Sequence, residues 1–247
     1  MMLRIFRAFF KGGLVGRHYA PAVEPGSPLG PFRIPANSFT LGVEFRVRFA
    51  PCAAALAAML ALSAPAFAAG TESPDKQALA AAVAAYGRAM REGRVARPGL
   101  LTLIDYTRPS TERRLWVVDM LTGRVQLHEL VAHGRNSGEV LPTAFSNADG
   151  THMSSLGLFV TRDSYVGSNG YSLRLDGLDP GLNDHALARA IVIHGAPYVS
   201  ESIAALQGRL GRSWGCPAVS SSVARPLIDL IKGGSVVFVY GKPDSAS

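Results

Sequence analysis

Cysteine is nearly absent from this chain: 247 residues carry two, Cys52 and Cys216. No disulfide framework can hold the fold, and there is no CxxC and no HExxH, so neither a structural zinc cluster nor a zinc-hydrolase helix is expected. Charge is also sparse, at 17% Asp, Glu, Lys and Arg. The net +7 is misleading, because residues 1–68 hold seven of the 25 basic and two of the 18 acidic residues. That leaves 18 basic against 16 acidic in 69–247, about +2, with no basic run and no aromatic-interleaved patch. Nucleic acid is therefore not an expected partner. The glycines of GSNG (167–170) and GLDPG (177–181) sit in no strand–loop–helix unit, which argues against a phosphate-cradling loop. No cofactor is expected.

What the sequence does have begins with one long uncharged run. Residues 46–69, RVRFAPCAAALAAMLALSAPAFAA, place two arginines before an Ala/Leu-rich stretch that ends in Ala66-Phe67-Ala68. This layout predicts a secretory signal peptide over 46–68, cleaved before Ala69, and hence export to the periplasm or cell wall. The rival reading is a retained membrane anchor, since 20 uncharged residues suffice to span a bilayer; a membrane is a partner only in that case. Residues 1–45 show no hydrophobic periodicity and read as unstructured or as an upstream segment ahead of a true start near Val43. With Cys52 inside the signal, Cys216 is the single thiol of the mature chain. Such a thiol is buried and inert, paired between chains, or chemically employed.

In the mature chain, SPDKQALAAAVAAYGRAMREG predicts a helix over about 74–92, with Ser73 as N-cap, Pro74 in the first turn and a buried stripe of Leu79, Val83, Tyr86 and Met90. A linker follows, so residues 69–98 form a helix and linker ahead of a domain at 99–247. From residue 100 the pattern becomes short β-type runs: LLTLIDY, RRLWVVDM, VQLHELVAHG, LGLFVT, YSLRL, AIVIHG and SVVFVY, separated by turns. Seven strands with little helix between them predict a mainly β fold, a mixed sandwich or barrel, with one further helix in SSVARPLIDLIKGG before the last strand. Pro226 then lies near that helix's first turn or kinks it.

The thiol lies in GRSWGCPAV. Pro217 biases Cys216 toward extended backbone and offers no N–H, so an oxyanion must draw on the backbone amides of Trp214, Gly215 and Cys216. A base is needed, and His194 closes an apolar strand immediately before Gly195, whose carbonyl is the nearest group able to fix the ring tautomer. No carboxylate is placed to do so. His133, followed by GRNSG, ranks second as base; His128, His152 and His185 lack such a setting. For each histidine a structural or surface role is the competing reading.

His194-Gly195, a gap of 17 residues, then Ser213-Trp214-Gly215-Cys216 resembles the signature of the L,D-transpeptidase catalytic domain family, closest to a branch with S-x-G-C-P-A and I-V-I-H-G-A-x-Y-V. SSLGLF (154–159) resembles the family's T-P-x-G-x-F/Y strand. The resemblance implies that Cys216 attacks the carbonyl of the L-configured centre of a diamino acid in a peptidoglycan tetrapeptide stem and expels D-alanine. The acyl group then passes to an amine or to water, with His194 as base. It also implies that Ser213 shapes the loop, that Tyr198 lines the donor groove, and that Arg212 or Arg209 supplies a substrate-binding charge absent at Ala218; His133 counts among the substrate contacts. Trp214 stands where the family has histidine. Three alternatives remain: an L,D-carboxypeptidase, a sortase-like transpeptidase using His194, Cys216 and Arg225, and a non-catalytic peptidoglycan-binding module with an inert thiol.

Overall fold

The computed structural model describes residues 73–243; the expected signal at 46–68 and the segment 1–45 lie outside the described residues. The strands are β1 (Leu100–Asp105), β2 (Leu115–Asp119), β3 (Val125–Glu129), β4 (Gly157–Gly167), β5 (Gly170–Gly177), β6 (Val192–Ala196), β7 (Ala218–Ser220) and β8 (Val236–Tyr240). Three helices accompany them: α1 (Lys76–Arg91), α2 (Glu201–Gln207) and α3 (Ser221–Ile231). The mainly β fold, with a helix ahead of the strands and another before the last strand, is what the structure shows. Its strands form one sheet in the order β3-β2-β1-β8-β4-β5-β6-β7.

That order leaves a meander at two places, and one is β7, which runs parallel to β6 after a crossover through α2. The last strand, β8, inserts between β1 and β4, parallel to the first and antiparallel to the second. Sheet faces explain why. Leu101, Leu103, Trp116, Val118, Leu158 and Val236 share one core with the buried face of α1. Ile104, Leu115, Val117, Phe159, Leu173, Val237 and Val239 share the other with α3. Alternate residues of each strand thus serve opposite cores, so the central strands read as unbroken apolar runs. Each large side chain buried this way contributes roughly 1.5–3 kcal/mol.

Helix α1 differs from expectation in its face and its cap. Asp75, not Ser73, is the N-cap, its carboxylate accepting from Gln77 and Ala78 N–H. The fully buried stripe is Ala78, Ala82, Ala85 and Ala89, while Met90 is largely exposed and Leu79, Val83 and Tyr86 flank the contact. Small residues let the helix lie close on the sheet. An ion pair from Arg88 to Asp179, whose other oxygen accepts from Leu158 N–H, ties it to β4. The helix shares the sheet's core and is part of the same unit, so residue 99 is no boundary in packing. Pro226 sits well inside α3.

The functional end of the sheet is β5-β6-β7. Ser172 pairs with His194, and His194 in turn pairs with Ala218 of β7 in parallel register. Helix α3 packs on β6, which Gly195 permits: a Cβ there would stand 3.0 Å from Ala224 Cβ and 3.2 Å from Ser221 Cα. A side chain at 195 would thus press α3 away from β6 by a few tenths of an ångström.

Candidate active site

The site is built where three backbone segments meet. Ser213 bridges to Gly134, with Arg135 N–H donating to the Ser213 carbonyl (2.8 Å). Against this bridge lies the segment 152–154. A Cβ on Gly134 would come 2.9 Å from Gly215 Cα, and one on Gly215 would come 2.8 Å from the Met153 carbonyl oxygen. Gly215 also has φ +118°, a conformation L side chains rarely adopt. Ser154 joins the three: its Oγ accepts from Gly134 N–H (2.9 Å) and donates to the Gly215 carbonyl (3.0 Å). The residues of this junction come from positions 134, 154 and 215, so its rigidity is entirely tertiary.

Cys216 follows Gly215 and precedes β7. Its Sγ accepts from Val192 N–H at 3.5 Å and donates to the Ala190 carbonyl at 3.7 Å. The thiol therefore lies along the start of β6, half-buried, beside the exposed Ala190. His194 enters the same strand two residues after Val192; its N–H donates to the Pro217 carbonyl (3.4 Å). The sequence-predicted thiol and imidazole are thus brought to neighbouring positions by the β6–β7 pairing.

Ring chemistry follows from one contact. His194 Nδ1 lies 3.0 Å from the Gly195 carbonyl oxygen. A carbonyl only accepts, so Nδ1 carries the hydrogen and Nε2 keeps its lone pair. Burial holds His194 below its ordinary range, opposed by this hydrogen bond. Burial pushes the Cys216 thiol up, opposed by the Val192 N–H and by the Arg189 charge. Both directions favour the neutral thiol and the neutral imidazole at rest, rather than a standing ion pair.

Of the three amides expected to hold an oxyanion, one is already engaged. Gly215 N–H donates to Ser213 Oγ (3.1 Å), and that hydroxyl donates to the Cys216 carbonyl (2.6 Å). Ser213 shapes the turn in this way and withdraws Gly215 from the donor set, which leaves the amides of Trp214 and Cys216. Trp214 is 70% exposed and stacks on His152 at 4.9 Å and 18°; His152 has φ +53°.

His133 is not a base or a substrate contact. It is fully buried, its Nδ1 accepts from Arg114 Nη2 (2.8 Å) and its Nε2–H donates to the Gly138 carbonyl (3.1 Å). Burial and the Arg114 guanidinium push its pKa down to about 3. Arg114 is itself buried, donates to the Val131 and Arg108 carbonyls, and lies 4.8 Å over the Tyr106 ring. Arg212 and Arg209 both pair with Glu139, and Arg212 also donates to the Arg135 and Gly138 carbonyls. These contacts brace the 135–139 loop. Tyr198 is half-buried against Gly211, and its hydroxyl is pushed up to about 12 by burial and by the Cys216 charge.

Sequence reasoning missed Arg189, the Val192 amide, Ser154 and Tyr106. Tyr106 is fully buried, with its hydroxyl on the Ala132 carbonyl (3.3 Å) and raised to about 12 by burial, the Cys216 charge adding to it. Ser154 and Val192 lie inside the SSLGLF and IVIHG stretches, which gave them no role of their own, and Arg189 and Tyr106 lie in neither. The one available signal was an arginine just ahead of the apolar run that ends at His194.

A nucleophilic sulfur, a base-form imidazole on the paired strand and two amides beside the sulfur make this a candidate thiol acyl-transfer centre on a β scaffold. The chain belongs to the L,D-transpeptidase catalytic domain family, whose model matches residues 71–240. Among solved structures it is similar to Mycobacterium tuberculosis L,D-transpeptidase 1, with 14% identity over 58% of this chain and 62% of that one and a TM-score of 0.33. It is also similar to an L,D-transpeptidase from Stackebrandtia nassauensis (14%, 62% and 60%, TM-score 0.35) and to one from Mycobacterium smegmatis (13%, 58% and 59%, TM-score 0.36). The chain thus spans about three-fifths of each of these proteins. No curated protein sequence matches it.

Proposed function

We propose that this chain is an exported cysteine acyltransferase that acts on peptidoglycan tetrapeptide stems. The supporting observation is the β6–β7 register, which sets His194 opposite Ala218 with Cys216 just ahead of it, while the Gly195 carbonyl leaves Nε2 as the basic nitrogen. His194 takes the thiol proton, and the sulfur adds to the carbonyl of the diamino acid's L-centre. The amides of Trp214 and Cys216 hold the resulting oxyanion. Collapse expels D-alanine, which receives its proton from His194, and leaves a thioester on Cys216. An amine of a second stem, or water, then takes the acyl group and returns the thiol. Because thiol and imidazole start neutral, the proton moves from sulfur to Nε2 within the reaction and is not already transferred at rest. Export rests on the Arg-flanked Ala/Leu run ending at Ala68.

Incubation of purified protein with defined tetrapeptide stems, read by mass, tests this reading. Loss of D-alanine with a cross-linked dimer or a tripeptide is expected, and Cys216→Ser and His194→Ala should each abolish it. Intact mass after imipenem should show one adduct on Cys216. Stem binding without turnover or adduct would leave a peptidoglycan-binding module instead.

A further inference from the structure

Arg189 sits against the nucleophile turn. Its Nη2 lies 3.5 Å from where a Cβ on Gly215 would stand. Both terminal nitrogens are held by uncharged oxygens: Nη1 donates to the Ser146 carbonyl (2.7 Å) and Ser155 Oγ (2.6 Å). Nη2 donates to the Met153 carbonyl (2.8 Å) and reaches Thr151 Oγ1 (3.4 Å). No carboxylate lies within ion-pair distance of Arg189 among the described residues. Four anchors from one loop thus immobilise a guanidinium that no carboxylate touches, although the field of Asp149 acts on it, against the residue that precedes Cys216.

We propose that Arg189 stabilises the thiolate of Cys216 through space, as a fixed positive charge, and so acts as a positioning residue for the nucleophile. When the Cys216 S–H bond breaks, the proton passes to His194 Nε2 and the electron pair stays on sulfur. A negative charge then develops in a half-buried place where water screens it poorly. Hydrogen bonding from Val192 N–H offsets part of that cost. Arg189 offsets a further, smaller part without moving, because its orientation is set before the reaction begins. Burial works against this at both ends, raising the thiol and lowering the guanidinium, while each group pulls the other back.

The other titratable groups around the sulfur are few. Tyr106 and Tyr198 are phenols held neutral up to about 12. His194 is the base, and Asp149 is the acid whose field acts on Arg189. None of these supplies a standing positive charge at neutral pH.

The inference rests on Cys216 being the nucleophile, and its test uses no stem peptide. The rate of Cys216 alkylation by iodoacetamide is measured against pH on the full chain, resolved at that residue by peptide mass, for wild type, Arg189→Gln, Arg189→Met and Arg189→Lys. Both neutral variants should shift the midpoint upward by about one pH unit, which slows alkylation about tenfold near neutrality. Arg189→Lys should restore most of the rate. A neutral variant that melts within a few degrees of wild type and keeps the wild-type midpoint would overturn the proposal. If both neutral variants unfold, Arg189→Lys decides: a midpoint near wild type supports the charge, and a full-unit shift refutes it. Should the expected shifts appear while wild type fails to process stems, the stem-peptide reading falls and this inference stands.

Discussion

Acidification probes the buried His133–Arg114 pair directly. The unfolded chain holds this histidine at its ordinary pKa of 6.5, and the folded protein holds it at about 3. The folded state therefore binds fewer protons over the interval between those values, so stability falls as pH drops through it. Between pH 7 and pH 5 the loss from this one side chain is about 2 kcal/mol. Any folded value below about 4 gives nearly the same figure, because the native ring is still neutral at pH 5. The cause is burial first, and then geometry: Nδ1 faces a guanidinium and cannot take a proton without losing that bond. Urea denaturation of wild type at both pH values measures the loss. His133→Gln supplies the control, since a side-chain oxygen facing Arg114 and an amide N–H facing Gly138 reproduce both contacts without a titrating group. Its stability should change between the two pH values by about 2 kcal/mol less than wild type. Equal changes in both proteins, or a His133 ring titrating near pH 6.5 in the folded state, would refute the reasoning.

His194 titrates below 6.5 because it is buried, so the acid limb of kcat/KM for tetrapeptide processing should have its midpoint below that value; a midpoint at or above it shows that the base is not this buried ring. Gly215→Ala combines φ +118° with a Cβ 2.8 Å from the Met153 carbonyl, and should lower the unfolding free energy by about 2 kcal/mol or more; unchanged urea unfolding would show that the turn relaxes freely.

Much of the site was legible because the chemistry is carried by short local patterns. A histidine ending an apolar strand before glycine, and a thiol between glycine and proline, can be recognised without coordinates. Other features needed partners from distant segments. His133 read as a rim histidine because GRNSG follows it, yet Arg114, nineteen residues away, closes it inside the protein. Gly215 read as an oxyanion donor until Ser213 Oγ was seen to occupy its N–H. The α1 stripe read as Leu79, Val83, Tyr86 and Met90, because periodicity ranks side chains by size. The actual contact selects alanine so that helix and sheet can approach.

By itself, the order of residues determined the strand-forming runs, the helix before the last strand, and the choice of Cys216 and His194 as candidate nucleophile and base, since propensity and reactivity are properties of local groups. Tertiary structure alone decided that β8 enters between β1 and β4, that residues 134, 154 and 215 lock into one turn, and that Arg189 ends beside the sulfur. Those outcomes depend on which distant surfaces fill each other's space, and no short stretch of the chain carries that information.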